Sequence, residues 1–456
     1  MNKPDQFFCV LDGQLCQHDI SAATIHEACR PSMCVSQQLE DAVISYALQV
    51  QKPLALLSKQ DFIALLHHQQ RNNLPEIVIG QATIDRYQQV IAIIIDRLQH
   101  KIQAGSKLIE GTTILHTAPH HDDIILGYHA YAMRNLEHNK NYVAYITSGS
   151  NGVSHEYLID FLSTLTSSSH QNLFQTVFEY FYQQLVEQFA QAFHIQDDDA
   201  MQQAAQLIFL KIIAEVFGCV SADQLEQLVV WLQGYLEQNI QQEHELAEKD
   251  FRVEQVKGRL RQSESDRKWA ILGNGKVSVK HCDALFYQEL SQENFDRDVR
   301  NFAQYLHEVQ PDILTVAVDP CGVGPSTHFT SLQMIVQAVA LYEKSCLEPW
   351  PRRIEIIGYR NVWSSFTIAQ TSMIVAVTSE QTDQMASIFL NCFTTQQDPL
   401  FPSPLHDGSF ADLVVQVQEH QGSDIRLLLG QQAGEQASYL FLQKLTVDQL
   451  VEFTKK

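Results

Sequence analysis

The nine cysteines of this 456-residue chain include no Cys-x-x-Cys pair and are scattered over its whole length. That pattern argues against a zinc ribbon or a disulfide framework and predicts buried, reduced thiols. Positive charge is scarce: Lys and Arg number 31 against 53 Asp and Glu, a formal charge of −22. Such an excess repels a phosphate backbone or an anionic leaflet, so neither nucleic acid nor a membrane surface is expected as a partner. Apolar runs such as Val90–Ile95 and Leu207–Leu210 stop far short of the ~20 residues of a membrane helix, and no span is predicted. Met1 to Val10 lack the basic and apolar regions of a signal peptide, which gives a cytoplasmic expectation. Gly-x-Ser-x-Gly, P-loop and Gly-x-Gly-x-x-Gly motifs are all missing. What is present is an ordinary globular composition, 45% hydrophobic and 18% charged, in a chain long enough for two or three domains.

Residues 1–110 read as a helical N-terminal region, because apolar positions in Leu39–Leu57 and Ile84–Ile102 recur at three- and four-residue steps between Pro31, Pro53 and Pro75. From Thr113 the period changes. Thr113–Thr117 and Tyr142–Thr147 are strand signals on either side of a helix-compatible Asp123–Glu137, the βαβ order of a parallel sheet. No proline occurs between 156 and 250, where Phe178, Phe181, Leu185 and Phe189 form an apolar stripe; residues 156–254 are therefore expected to be a helical insertion. That insertion is expected to pack beside the cleft or to form a homo-oligomer contact. Strand signals resume at Val277–Cys282, Ile313–Val318, Ile354–Tyr359 and Met373–Val377, with helical stretches at Asn294–Val309 and Ser331–Glu343. The expected organisation is an α/β domain made of 111–155 and 255–456, interrupted by the insertion.

Two polar clusters each follow a predicted strand. In Pro119-His120-His121-Asp122-Asp123, a three-residue spacing puts the His120 imidazole and the Asp123 carboxylate on one side, an arrangement suited to zinc, while Asp122 projects elsewhere and is free to act as a base. The plainer reading is that the two aspartates cap the next helix. In Asp319-Pro320-Cys321-Gly322-Val323-Gly324-Pro325-Ser326-Thr327-His328, either His328 supplies a third ligand or the segment is a turn followed by a helix start. Both clusters fall at the C-terminal edge of the sheet, where open α/β folds bind ligands. Arg261 and Glu264 are either a surface pair or a substrate contact, and Arg360 after a strand is open to the same two readings. Cys9, Cys16, Cys29 and Cys34 with His18 and His26 fit no common zinc spacing.

The run Ala118-Pro119-His120-His121-Asp122-Asp123-Ile124-Ile125-Leu126-Gly127 resembles the Ala-His-Pro-Asp-Asp-Glu loop of the PIG-L/LmbE family of zinc-dependent N-acetylglucosaminyl deacetylases. Tyr145-Ile146-Thr147-Ser148-Gly149 is similar to that family's second strand and glycine turn, and Arg261-Gln262-Ser263-Glu264 to its Arg-x-x-Glu helix. Cys282-Asp283-Ala284-Leu285-Phe286-Tyr287 and Tyr359-Arg360-Asn361-Val362-Trp363 resemble later strand ends. Gly324-Pro325-Ser326-Thr327-His328 and Phe401-Pro402-Ser403 are closest to a branch fused to a glucosamine-6-phosphate deaminase-like domain, in whose place this chain carries residues 1–110. The resemblance covers roughly 110–155 and 255–430.

It implies the LmbE-like form of the α/β fold, a Rossmann-like, mostly parallel sheet with helices on both faces. Carried over by position, it places zinc on His120, Asp123 and His328 and makes Asp122 the general base. Arg261, Asn151 and Arg360 become contacts for the sugar. Two positions depart from the family pattern: His121 stands where a proline is usual, and Pro325 where a histidine commonly precedes the third ligand by three residues. His121, Thr327 and Tyr359 are the available substitutes for that histidine. The implied activity is zinc-dependent removal of an acetyl group from an N-acetylated amino sugar or its conjugate, a small-molecule partner. The alternatives are a non-catalytic LmbE-like binding protein, which Pro325 favours, and a zinc hydrolase of another small amide.

Overall fold

The computed structural model describes residues 7–11, 14–18, 35–71, 81–165, 172–241, 250–273, 275–345, 354–397, 408–433 and 438–454. Phe401-Pro402-Ser403, Cys29, Cys34 and His26 lie outside them, as do the side chains of Cys9, Cys16 and His18. The chain divides into two compact units, the first made of residues 1–100, 367–370 and 424–434. It opens on an antiparallel pair, β1 (Phe7–Leu11) and β2 (Gln14–His18), where the sequence had suggested only helices. In the sequence, Asp12-Gly13 between two alternating runs is the signal that goes with such a pair. Helices Gln37–Gln49, Lys59–Arg71 and much of Tyr87–Ser106 follow. Ser36 caps the first of these by accepting from the Leu39 amide at 3.2 Å.

The second unit holds a seven-stranded sheet of β3 (Thr113–Ala118), β4 (Lys140–Tyr145), β5 (Val277–His281), β6 (Ile313–Ala317), β7 (Glu355–Tyr359), β8 (Met373–Val377) and β9 (Ser438–Leu445). Their order is β5-β4-β3-β6-β7-β9-β8. The first five run parallel, and β9 lies antiparallel between β7 and β8. This is an α/β fold with a mostly parallel sheet. β9 was not anticipated. The chain moves outward from β3 to β4 and β5, then returns to pair β6 with the other side of β3. That reversal is a topological switch point, the position at which ligands enter such sheets.

The described part of the insertion is made of helices joined by short turns: His155–Leu165, Leu173–Thr176, Tyr182–His194, Asp198–Phe217 and Ala222–Gln241. Its leucines, isoleucines and phenylalanines share one core with Val256 and Leu260 of the long Phe251–Gly273 helix and with Met385, Ile388 and Phe389 of the Ser379–Cys392 helix. Apolar burial thus presses the insertion onto the helix that carries Arg261. Among the described residues one helix, Asp198–Phe217, is long and apolar enough to cross a membrane, and 56% of that stretch is buried inside the unit.

Candidate metal centre at the switch point

The loop after β3 is held by an extension of the parallel ladder. Ile146 donates to the Ala118 carbonyl at 2.9 Å, and the Thr147 amide and hydroxyl both donate to the Pro119 carbonyl, at 3.1 and 2.8 Å. Pro119 is thereby fixed, and His120 to Asp123 follow in a turn that starts the Asp123–Leu136 helix. The Asp123 carboxylate accepts from the His120 amide at 2.6 Å and so closes the turn, whereas Asp122 stands at the N-cap position without a side-chain cap hydrogen bond, so the two aspartates do not cap this helix. After β6, Asp319 ends the strand extension and the Ser326–Ser345 helix begins with His328 in its first turn. Gly324 in this loop takes φ +72°, and a Cβ there would meet the Trp363 ring at 2.6 Å. Only glycine lets the loop lie this close.

Three donor atoms converge. His120 Nδ1 is 3.0 Å from His328 Nε2, and the two oxygens of Asp123 stand 3.7 and 3.6 Å from those nitrogens. One ligand atom from each residue lies within 4.8 Å of the others. For tetrahedral zinc with ~2.1 Å bonds, ligand atoms are roughly 3.4 Å apart, so the observed separations suit such an ion. The outer partners suit it too. His328 Nδ1 is 2.9 Å from Asp319 Oδ2, which leaves Nε2 facing the cluster, and Thr327 Oγ1 is 3.0 Å from His120 Nε2. Asn361 donates its side-chain amide to Asp123 and its backbone amide to Asp319 at 3.1 Å. Burial lowers the His328 pKa, but Asp123 and the bond to Asp319 outweigh it and carry it up to about 9. Burial raises Asp123 to about 7 against the pull of His328, and burial together with the charges of His328 and Arg261 pushes His120 well below the usual imidazole range.

Asp122 points to a different partner. Its Oδ1 accepts from Arg261 Nη2 at 2.9 Å, while Arg261 Nη1 donates to Glu264 at 2.6 Å and to Thr395 Oγ1 at 3.1 Å. Glu264 in turn accepts from the Thr395 amide at 2.8 Å and its hydroxyl at 3.0 Å. The Arg-x-x-Glu pair is therefore buried rather than a surface pair. Gly149, at φ +67°, lets the next turn pass Arg261: a Cβ there would be 3.3 Å from Nε.

These groups line a cavity of about 380 Å³ that includes His120, Asp122, Asp123, Asn151, Arg261, Thr327 and His328. Three of the residues singled out from sequence lie elsewhere. Tyr359 is buried and donates to the Thr117 carbonyl at 2.9 Å. His121 stacks on Tyr145 and shares a 3.1 Å hydrogen bond with His281. Arg360 lies over the Phe366 ring at 4.7 Å, in a separate small void. Strand alternation explains the last case: neighbours at a strand end face opposite ways, and it is Asn361 that reaches the cluster. Asp319, Asn361, Tyr287 and Trp363 were all present in the quoted motifs without a role. Of these, Tyr287 accepts from the Asn151 amide at 3.2 Å and lines the cavity with Trp363.

No family model matches the chain, and no curated protein matches it. Among solved structures it is similar to GalB, the 4-carboxy-2-hydroxymuconate hydratase of Pseudomonas putida KT2440, at 10% identity over 74% of this chain and 96% of that one, with a TM-score of 0.36. It is also similar to a triple mutant of a deacetylase of the teicoplanin biosynthetic pathway, at 12% identity over 73% and 99%, with a TM-score of 0.30. The site is accordingly read from its own geometry.

Proposed function

We propose that this chain is a zinc-dependent hydrolase that removes an acetyl group from an N-acetylated amino sugar or its conjugate, in the manner of the PIG-L/LmbE family that its motifs resemble. The observation that carries this reading is the convergence of His120 Nδ1, Asp123 and His328 Nε2 beside an aspartate held by its own arginine. Two imidazoles and a carboxylate are a zinc-type donor set. Bound there, a divalent ion supplies Lewis-acid polarisation of an amide carbonyl and acidifies a water at neutral pH.

The protein's own contribution is positional. Arg261 holds Asp122 by Oδ1, which leaves Oδ2 to accept the proton of the attacking water and return it to the leaving amine nitrogen. Water adds to the acyl carbon, the C–N bond breaks, and acetate leaves as the amine is protonated. Asp319 and Asn361 fix the ring of His328 and the carboxylate of Asp123. Asn151 and Tyr287 on the cavity wall provide polar contacts for sugar hydroxyls.

Pro325 on the same wall stands where the resembling family has a histidine, which favours a second reading, a metal-bearing protein that binds without hydrolysing. Elemental analysis of the purified protein followed by acetate release from a panel of N-acetylhexosamine derivatives separates them. The hydrolase reading expects about one zinc per chain and metal-dependent acetate release that a chelator abolishes. Zinc without acetate supports the binding reading, and a protein that retains no divalent ion refutes both.

A further inference from the structure

The Phe251–Gly273 helix turns Arg261 towards the metal-centre cavity, but Leu260, Ser263 and Arg267 open onto a different cavity of about 440 Å³. Its walls are Tyr157, Phe161, Phe189 and Met201 from the insertion and Leu390 from the Ser379–Cys392 helix. Arg267 is only 2% exposed. Its Nε donates to the Ser263 carbonyl at 3.3 Å and its Nη2 to the Cys392 carbonyl at 2.8 Å, with the guanidinium 4.8 Å over the Phe189 ring. No described carboxylate lies within ion-pair distance of it, and Nη1 donates to no described residue. Gln206, 4% exposed, lines the same cavity with its side-chain amide also without a described partner. Arg267 and Gln206 thus line one void with hydrogen-bonding capacity that no described residue uses.

We propose that this cavity is a second ligand site, separate from the metal centre, that takes a small organic monoanion with an apolar body, a carboxylate on an aromatic or branched aliphatic group. Arg267 Nη1 meets the carboxylate, Gln206 adds a second hydrogen bond, and Tyr157, Phe161 and Met201 enclose the apolar part. A single guanidinium on walls of apolar and neutral polar side chains, with the exposed Asp198 at the rim, suits one negative charge and not a polyphosphate. The cavity also abuts the Arg261 pairing from behind. Tyr157 OH is 2.7 Å from Thr394 Oγ1, and the next residue, Thr395, holds Glu264.

The test is calorimetric titration of the full chain with benzoate and with benzamide, its neutral counterpart. Benzoate is expected to bind about ten-fold or more tightly than benzamide, and Arg267→Met to remove that preference. Because losing Arg267 alters a buried contact to Cys392, a second variant is used: Ala205→Trp, on a half-buried wall position, fills the void and is expected to abolish benzoate binding while circular dichroism stays native. Equal binding of benzoate and benzamide, undiminished benzoate binding by Ala205→Trp, or no benzoate binding at ~10 mM overturns the proposal.

Discussion

Arg261 and Lys268 stand seven residues apart on one helix and are equally hidden, 2% and 1% exposed, yet the fold treats them differently. Burial works against the charge of Arg261, but Asp122 and Glu264 outweigh it and hold the guanidinium more firmly protonated than in water. Among the described residues Lys268 has only the Tyr145 phenol at 2.9 Å and the face of Trp269 at 3.8 Å, with no described carboxylate in ion-pair reach, and burial pushes it down to about 7. Depth is the same, so partners decide. Arg261 exists to hold a carboxylate in place, whereas Lys268 is a charge the core tolerates.

The largest effect should come from breaking the arginine's side of this comparison at the carboxylate. Asp122→Asn keeps the shape but cannot accept a proton, so acetate release should fall by ~10² to 10⁴ while zinc content is unchanged. Asp123→Asn should instead lose much of its metal, because an amide oxygen is the weaker ligand. Zinc and acetate measured in parallel decide the matter. Full activity in Asp122→Asn would end the proposed mechanism, and metal loss in that variant instead of the other would exchange the two roles.

Removing the cation itself comes next. Arg261→Met strands Asp122 and Glu264 in the interior, which should cost about 3 to 5 kcal/mol in urea unfolding as well as activity. A loss below about 1 kcal/mol would mean that solvent or other donors already satisfy the two acids, and that Arg261 does not do the holding.

How far the sequence foretold this arrangement depends on which interactions are local. The β3 loop was legible because strand, turn and helix start lie within a dozen residues, and the three-residue spacing of His120 and Asp123 is itself geometry. His328 is 208 residues from His120, and only the second strand-end motif, with the family resemblance, brought it in. The sequence does not distinguish Asn361 from its neighbours Tyr359 and Arg360, since it shows a strand end but not which face that end turns to the site. Ser438–Leu445 escaped notice because an antiparallel strand inserted between β7 and β8 is a matter of long-range pairing, which no local pattern encodes. The same holds for the Arg-x-x-Glu pair: i,i+3 spacing is identical for a surface pair and a buried one, and only the insertion packed over that helix distinguishes them.

The lysine's side of the comparison makes a prediction with a pH signature. Lys268 binds its proton only below about 7 in the folded chain and near 10.5 when unfolded. Between those values the unfolded chain carries the extra proton, so this residue's penalty is full below about 7 and fades as pH rises towards 10.5. Lys268→Met should therefore stabilise by a few kcal/mol at pH 6, since each tenfold change in proton affinity is about 1.4 kcal/mol, and by much less at pH 9. Urea midpoints for both proteins at the two pH values test this. A gap that is constant or widens with pH would show that Lys268 is not the titrating group.

The smallest effect concerns the phenol that stands in for the missing carboxylate. Tyr145 accepts from both Lys268 Nζ and Trp269 Nε1 at 2.9 Å, and its ring stacks on His121, so Tyr145→Phe removes the acceptor and keeps the stack. Two buried donors lose their partner in the wild-type background but only one in Lys268→Met, so a double-mutant cycle isolates the Lys268–Tyr145 bond. Hydrogen bonds to charged groups are worth about 1.5 to 3 kcal/mol against about 0.5 to 1.5 for neutral ones. The coupling should accordingly be about twice as large at pH 6, where Lys268 is an ammonium, as at pH 9, where it is an amine. Equal coupling at both pH values would mean that the lysine keeps one charge state across that range, and the contrast with Arg261 would then rest on geometry alone.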